Sequence, residues 1–417
     1  MKGIPCMNAC RPLATSLLVL LSGAATAGGF ALNEQNIKSM GAALAGRASN
    51  PADATTIYTN PAGLAQLEGT QLSGNVTLIK ASADISESAV FPGGGTAKGD
   101  MVPTQPVGAG FASHALNDRL AIGIGMYAPF GLATNYEDTF DGRYFGDKSK
   151  VTVKAVQPTV GYRLSPEFSV GAGIAMNRLD GVLTAAASPS LPGSSVDVEG
   201  DDTALGYHLG LLWAVQPETR LGLTYHSKVK YGLTGTTEVR NILSNGVNTF
   251  NAHLDIATPE TTDLSLSHRL NNDVTAHALA TFTRWSRIQD LVIVNQGAPG
   301  SLATLSEHLG WHDTWLYSVG ADWQYLPSVQ LRAGIGHDET PTGGYRSVRV
   351  PSGDRDYLTL GASYVFSPTW SLDWAYMYIR EDSAHVAQDK FPSDSPKFVA
   401  DYRNRAHLFG IQLNARL

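Results

Sequence analysis

The sequence predicts an all-β protein: a 14-stranded antiparallel transmembrane β-barrel with an N-terminal helical hatch, or plug, in its lumen. Three observations predict it. Segments of strand length alternate apolar and polar residues, long and short connections alternate along the chain, and an export signal is followed by no membrane-spanning helix. Composition agrees. Charged residues are 16% of the 417, against ~25% in soluble proteins. Glycine is plentiful, at 43 residues, and Trp, Tyr and Phe number 7, 16 and 13. The formal charge of −7 excludes the basic footprint of a nucleic-acid binder.

Residues 1–27 read as a secretory signal. Lys2 and Arg11 form the positive region, Leu13 to Leu21 the apolar core, and Ala25-Thr26-Ala27 the cleavage site. The apolar core is too short to cross ~30 Å of hydrocarbon. Cleavage removes Cys6 and Cys10, so residues 28–417 have no disulfide and no thiolate metal site. No run of 18 apolar residues follows. Export without anchor or disulfide points to the periplasm or outer membrane of a Gram-negative bacterium.

From residue 70 the chain reads as strands. Trp370, Leu372, Trp374, Tyr376 and Tyr378 share one face, with Ser371 and Asp373 on the other. Trp315, Tyr317, Val319, Ala321, Trp323 and Tyr325 repeat the pattern, as do Phe409, Ile411, Leu413 and Leu417. Six connections are tight and carry Pro, Asn or Asp: 116–119, 165–167, 216–219, 271–273, 326–328 and 367–369. Seven long gaps lie between and around them, near 82–106, 128–149, 180–203, 231–250, 285–314, 337–355 and 381–404. Strict alternation puts every long loop at one end of an up-and-down sheet, as in outer-membrane barrels. A soluble sandwich would not carry so many outward aromatics without aggregating. Residues 28–69 do not alternate. They are Ala- and Gly-rich, with helical stretches around Ile37–Leu44, and the lumen is their natural place.

Motifs for chemistry are missing. There is no G-x-S-x-G, H-E-x-x-H, P-loop or G-x-G-x-x-G. The histidines are scattered and show no metal spacing, and His407 has no serine partner in the pattern, so no enzyme, cofactor or metal is expected. The glycine pairs Gly108/Gly110, Gly123/Gly125 and Gly171/Gly173 read as close packing or strand bending. Asp354, Arg355 and Asp356 read as an ion network at a loop base. Leu183 and Leu191 in one long gap, and Ile242 and Leu243 in the next, are apolar where water is expected. They suggest an apolar groove that captures a hydrophobic solute.

Several segments together carry a resemblance: Gly29-Phe30-Ala31-Leu32-Asn33-Glu34, Asn60-Pro61-Ala62-Gly63-Leu64, Gly131 to Thr134 with Asp138 to Gly142, Arg284-Trp285-Ser286, Leu331 to Ile335 with Asp338 to Pro341, and Pro351 to Leu358. In this order they resemble the FadL-type outer-membrane transporters of long-chain fatty acids and other hydrophobic compounds. The resemblance implies passive uptake by capture in an outer loop groove, hatch-gated passage and lateral release into the membrane. It makes Asn33, Asn60, Pro61 and Ala62 the hatch motif, and Gly123, Gly125 and Pro129 the lateral opening, through an inward kink of the third strand. Leu183, Leu191, Ile242, Leu243 and His312 become ligand-binding candidates. His312 stands in a stretch where the family carries a lysine implicated in holding a carboxylate, which leaves fatty acid, alkane and aromatic ligands open. The expected partners are hydrophobic small molecules, outer-membrane lipid and lipopolysaccharide, with the protein a monomer. The alternative function is a general porin with a water-filled pore, against which a hatch of about 40 residues argues.

Overall fold

The computed structural model describes residues 28–243, 245–389 and 397–417. The signal-sequence reading of 1–27 lies outside them. Nineteen strand segments close one sheet. β1 (Thr70–Phe91), β2 (Gln105–Ala115), β3 (Leu120–Asn135), β4 (Lys148–Arg163), β5 (Phe168–Ala186) and β6 (Ser195–Gln216) are single staves. The next four staves are each interrupted: β7 (Thr219–His226) with β8 (Val229–Arg240), β9 (Val247–Thr258) with β10 (Thr261–Arg269), β11 (Val274–Thr283) with β12 (Asp290–Gln296), and β13 (Thr304–His308) with β14 (Thr314–Leu326). β15 (Val329–Asp338), β16 (Arg355–Val365), β17 (Trp370–Glu381) with β18 (Ala384–Asp389), and β19 (Lys397–Arg416) complete the set. The result is a 14-stave antiparallel barrel. β19 pairs with β1 from Gln71↔Arg416 to Phe91↔Lys397, so the sheet closes on itself.

Alternation sorts the faces. Trp370, Trp374, Trp315, Trp323 and Phe409 point out and are exposed, while Asp373 and Asp322 point in and are buried. In lipid such an outward apolar face is stable. All six tight turns connect staves as the sequence predicts, at the end where Thr70 N–H donates to Leu417 O.

The long gaps are shorter than the sequence suggests. β5 and β6 stay paired to Ala186↔Ser195, and β8 and β9 to Arg240↔Val247. Much of 180–203 and 231–250 is therefore strand. Above the membrane no apolar outer face is required, so alternation stops while hydrogen bonding continues.

Residues 28–69 lie inside the barrel. They hold α1 (Ile37–Met40), α2 (Thr56–Thr59) and a 3₁₀ turn, Pro61–Gln66. Asn36 caps α1, its Oδ1 accepting from Ser39 N–H at 2.6 Å. The helix expected to run to Leu44 stops at Met40, because Ala43 and Leu44 take positive φ of 55° and 68°. That turn lets the backbone at Ala42 lie flat on the wall at Gly320 and Gly334, which are register partners. A second row, Gly161↔Gly171↔Gly210, seats Pro61–Leu64 in the same way. Any side chain in either row would strike the hatch backbone.

Candidate functional site

The outer loops and strand ends line an open groove. Leu183, Leu191, Ile242 and Leu243 all line it, joined by Leu302 and Leu305. β5 carries Leu183, and the short connection beyond its end carries Leu191. Next to the groove lies a narrower cavity, lined by Leu132, Leu179, Leu233, Leu254, Ile256 and Trp311 among others. Leu183, Val198, Leu291, Ile293 and Arg349 line both, so the two are continuous. Phe30 of the N-terminal segment closes the floor. Its ring lies 5.1 Å from Trp285 and 5.6 Å from Phe130, and Trp285 lies 5.2 Å from Trp311.

Among the described residues, Arg349 is the one lysine or arginine lining either cavity. Its Nε donates to Glu307 Oε2 at 3.0 Å and its Nη1 to Ser149 Oγ at 2.9 Å. The sequence pattern does not single it out within its long gap. The signal available is its setting, a lone cation between Val348 and Val350, both buried. His312 lies apart. It is exposed, its N–H donates to Pro341 O, its Nδ1 sits 3.0 Å from Asp313 O, and it lines neither cavity. Its neighbour Trp311 turns inward instead.

The hatch residues make a tether. Asn60 Oδ1 accepts from Ala62 N–H at 3.0 Å and so caps the 3₁₀ turn that Pro61 begins. The Asn60 amide donates to Ala48 O at 2.6 Å and to Leu211 O of β6 at 3.0 Å. Asn33 Oδ1 accepts from Arg47 Nη1 at 3.0 Å. Arg47 makes a two-pronged contact with Asp263 of β10, at 2.9 and 2.7 Å. Lys38 pairs with Asp53 at 3.1 Å. Burial pushes Glu34 up from its ordinary 4.5 to about 7, with nearby backbone N–H groups and Arg47 opposing.

β3 is where the wall is incomplete. Its ladder to β2 ends at Gly110↔Met126, although β3 runs on to Asn135. Against β4 the register slips between Tyr127 and Phe130, across Ala128 and Pro129. The N-terminal segment fills the space. Leu32 N–H donates to Pro129 O at 2.9 Å and Gly131 N–H to Phe30 O at 2.8 Å. Gly28 N–H reaches Asp338 Oδ2 at 3.0 Å. Pro129 thus sits at the break, and Gly123 and Gly125 lie before it. They pair regularly with Ser113 and Phe111 on β2 and with Thr159 and Gln157 on β4. What their missing side chains permit is the close approach of Ile57 from the hatch. Farther along, Asp354, Arg355 and Asp356 divide their roles. Arg355 is fully buried against Glu381 at 2.8 Å, Asp354 accepts from Thr340 N–H, and Asp356 faces His337.

Comparison with known proteins agrees with this layout. The family described as outer membrane protein transport protein (OMPP1/FadL/TodX) matches residues 18–417. Outer membrane protein P1 of Haemophilus influenzae is 26% identical over 455 residues, covering 96% of this chain and 98% of that one. A long-chain fatty acid transport protein of Escherichia coli O6:H1 is 25% identical, covering 95% and 96%. Among solved structures, a Pseudomonas aeruginosa FadL homologue superposes with a TM-score of 0.84 at 22% identity, covering 93% of this chain and 99% of that one. The Ralstonia pickettii toluene transporter TbuX gives 0.66 at 19%, covering 89% and 95%. These structures share the fold.

Proposed function

As a chain that belongs to the OMPP1/FadL/TodX family, the protein is an outer-membrane transporter of hydrophobic compounds and not an enzyme, and we propose that it works by capture, hatch-gated passage and lateral release. The carrying observation is continuity: the loop groove and the inner cavity share five lining residues, and the inner cavity is lined by Phe30 and Leu132, next to the break in β3. A solute leaves water in the groove, gaining ~0.8 kcal/mol for each CH₂ it buries. It moves to the inner cavity against Phe30. Withdrawal of residues 30–32 from β3 then uncovers the wall where the β2 ladder has ended. The solute reaches lipid without crossing the periplasm.

The substrate class we propose is a long-chain fatty acid. Arg349 stands where groove and cavity meet and would take a carboxylate with strong, charge-assisted hydrogen bonds. A second reading, an uncharged hydrocarbon, rests on Glu307, which already holds Arg349. A water-filled porin fits poorly with a lumen occupied by residues 28–69.

The test is binding of a fluorescent long-chain fatty acid to the purified barrel with Leu183→Asp and Leu291→Asp. Two carboxylates in an apolar channel should weaken binding at least about tenfold. Unchanged binding would show that capture happens elsewhere. Replacing Arg349 with Met separates the two substrate readings: fatty acid binding falls, hydrocarbon binding does not.

A further inference from the structure

A third, small cavity lies between the break in β3 and the hatch. Its lining has two characters. Pro129, Phe130, Trp285 and Leu316 make one side apolar. On the other, β6 and β7 present His208 and His226. The two are register partners, with His226 Nδ1 3.2 Å from His208 Nε2. Neutral imidazoles can share that bond only if one donates and the other accepts. In either arrangement His208 Nδ1 is left over, as an N–H or as a lone pair. It has no hydrogen-bond partner among the described residues, although His208 is only 8% exposed. A buried polar atom without a partner is unfavourable and calls for an explanation.

The charged groups lining the same cavity are already engaged. Arg47 is held by Asp263 and Asn33. Asp338 accepts from Gly28 N–H and from the Tyr357 hydroxyl. The Tyr58 ring packs against His226, with centroids 5.1 Å apart. His208 Nδ1 is therefore the buried position left without a partner beside this cavity.

We propose that His208 Nδ1 is a polar subsite on the exit route, which takes the head group of a long-chain amphiphile able to donate and accept a hydrogen bond, a protonated carboxylic acid or an alcohol. The tail lies along the apolar side toward Pro129. Such a head group satisfies Nδ1 in either arrangement of the pair, donating to it where it carries a lone pair and accepting from it where it carries the N–H. An alkane leaves Nδ1 unmade, so the channel favours amphiphiles over hydrocarbons of equal length. The proposal rests on lateral release as the exit route.

The experiment measures entry of hexadecanol and hexadecane into the bilayer of proteoliposomes holding the full barrel. In the His208→Phe variant the ratio of alcohol to alkane entry should fall about tenfold, the worth of one hydrogen bond at a buried site. His208→Gln, which keeps a donor and an acceptor, should restore part of it. A double variant, His208→Phe with His226→Leu, removes the pair without orphaning the second ring and should match the single one. Heat-modifiable gel mobility checks that each barrel is folded. An unchanged ratio in a folded His208→Phe or double variant overturns the subsite, as does a glutamine variant no better than phenylalanine. Wild-type protein that speeds entry of neither compound overturns lateral release, and the subsite with it.

Discussion

Replacing Arg47 with Met should loosen the hatch by a large and calculable amount. The Arg47 side chain is 4% exposed and its partner Asp263 2%. It makes two bonds to Asp263, one to Asn33 at 3.0 Å and one to Thr281 at 3.1 Å. Removing one partner of a buried ion pair costs about 3–5 kcal/mol, because the other charge stays buried without compensation. At about 1.4 kcal/mol per decade, that is at least a hundredfold rise in the fraction of barrels with the hatch displaced. Single-channel recording in planar bilayers reads this fraction as time spent in a large conducting state. The double variant Arg47→Met with Asp263→Leu removes both charges and should recover most of the closed state. Unchanged occupancy in Arg47→Met would refute the tether. A double variant as leaky as the single one would refute the electrostatic reasoning behind it.

Glu34 sets a pH dependence of definite sign. Its folded value of about 7 lies above the ordinary 4.5, so burial disfavours the carboxylate. The penalty is absent below pH 4.5, grows as pH rises to 7 and is complete above, on the order of 3 kcal/mol. Protease access to the hatch should rise through that window, and Glu34→Gln should flatten the rise. Deleting residues 29–69 should leave a barrel that still inserts, since β19 closes on β1 without them, with higher ion conductance; an unchanged conductance would mean the segment is no plug. Tags placed in 187–194 should be reachable on intact cells, and a tag at Ser165–Glu167 should not; labelling at the short turn would reverse the orientation.

How far the sequence can be read depends on what each residue has to satisfy. The Trp370–Tyr378 alternation is legible because lipid on one side and lumen on the other impose opposite demands on successive residues. The tight turns are legible because only a few residues suit their backbone. The strand beyond Asp180 is hidden because two wet faces leave no periodicity. Leu183, Leu191, Ile242 and Leu243 stand out singly as apolar residues out of place, and the fold brings them into one groove. Gly123 and Gly125 read as bends in the sequence, although the bulge is at Ala128–Pro129 and the glycines make room for Ile57. A pattern within one strand cannot reveal what approaches from the lumen. Valine at both positions would therefore press on the hatch. The His208–His226 pair is hidden from counting along the sequence: the tight turn 216–219 alone would set His208 against Ser227, and the bulge between Ala214 and Gln216 moves the register by one, to His226.

Lateral release can be tested at the contact that covers the opening. Ala31 and Phe130 form an isolated antiparallel bridge, and directly opposed residues in such pairs have Cα atoms about 4.5–5.5 Å apart, within reach of a disulfide. Residues 28–417 contain no cysteine, so Ala31→Cys with Phe130→Cys adds the only thiols. Uptake of a radiolabelled long-chain fatty acid should stop when the pair is oxidised and return when it is reduced, with barrel mobility on gels unchanged. Equal uptake in the oxidised and reduced states would contradict the account, because the solute would then leave by another path.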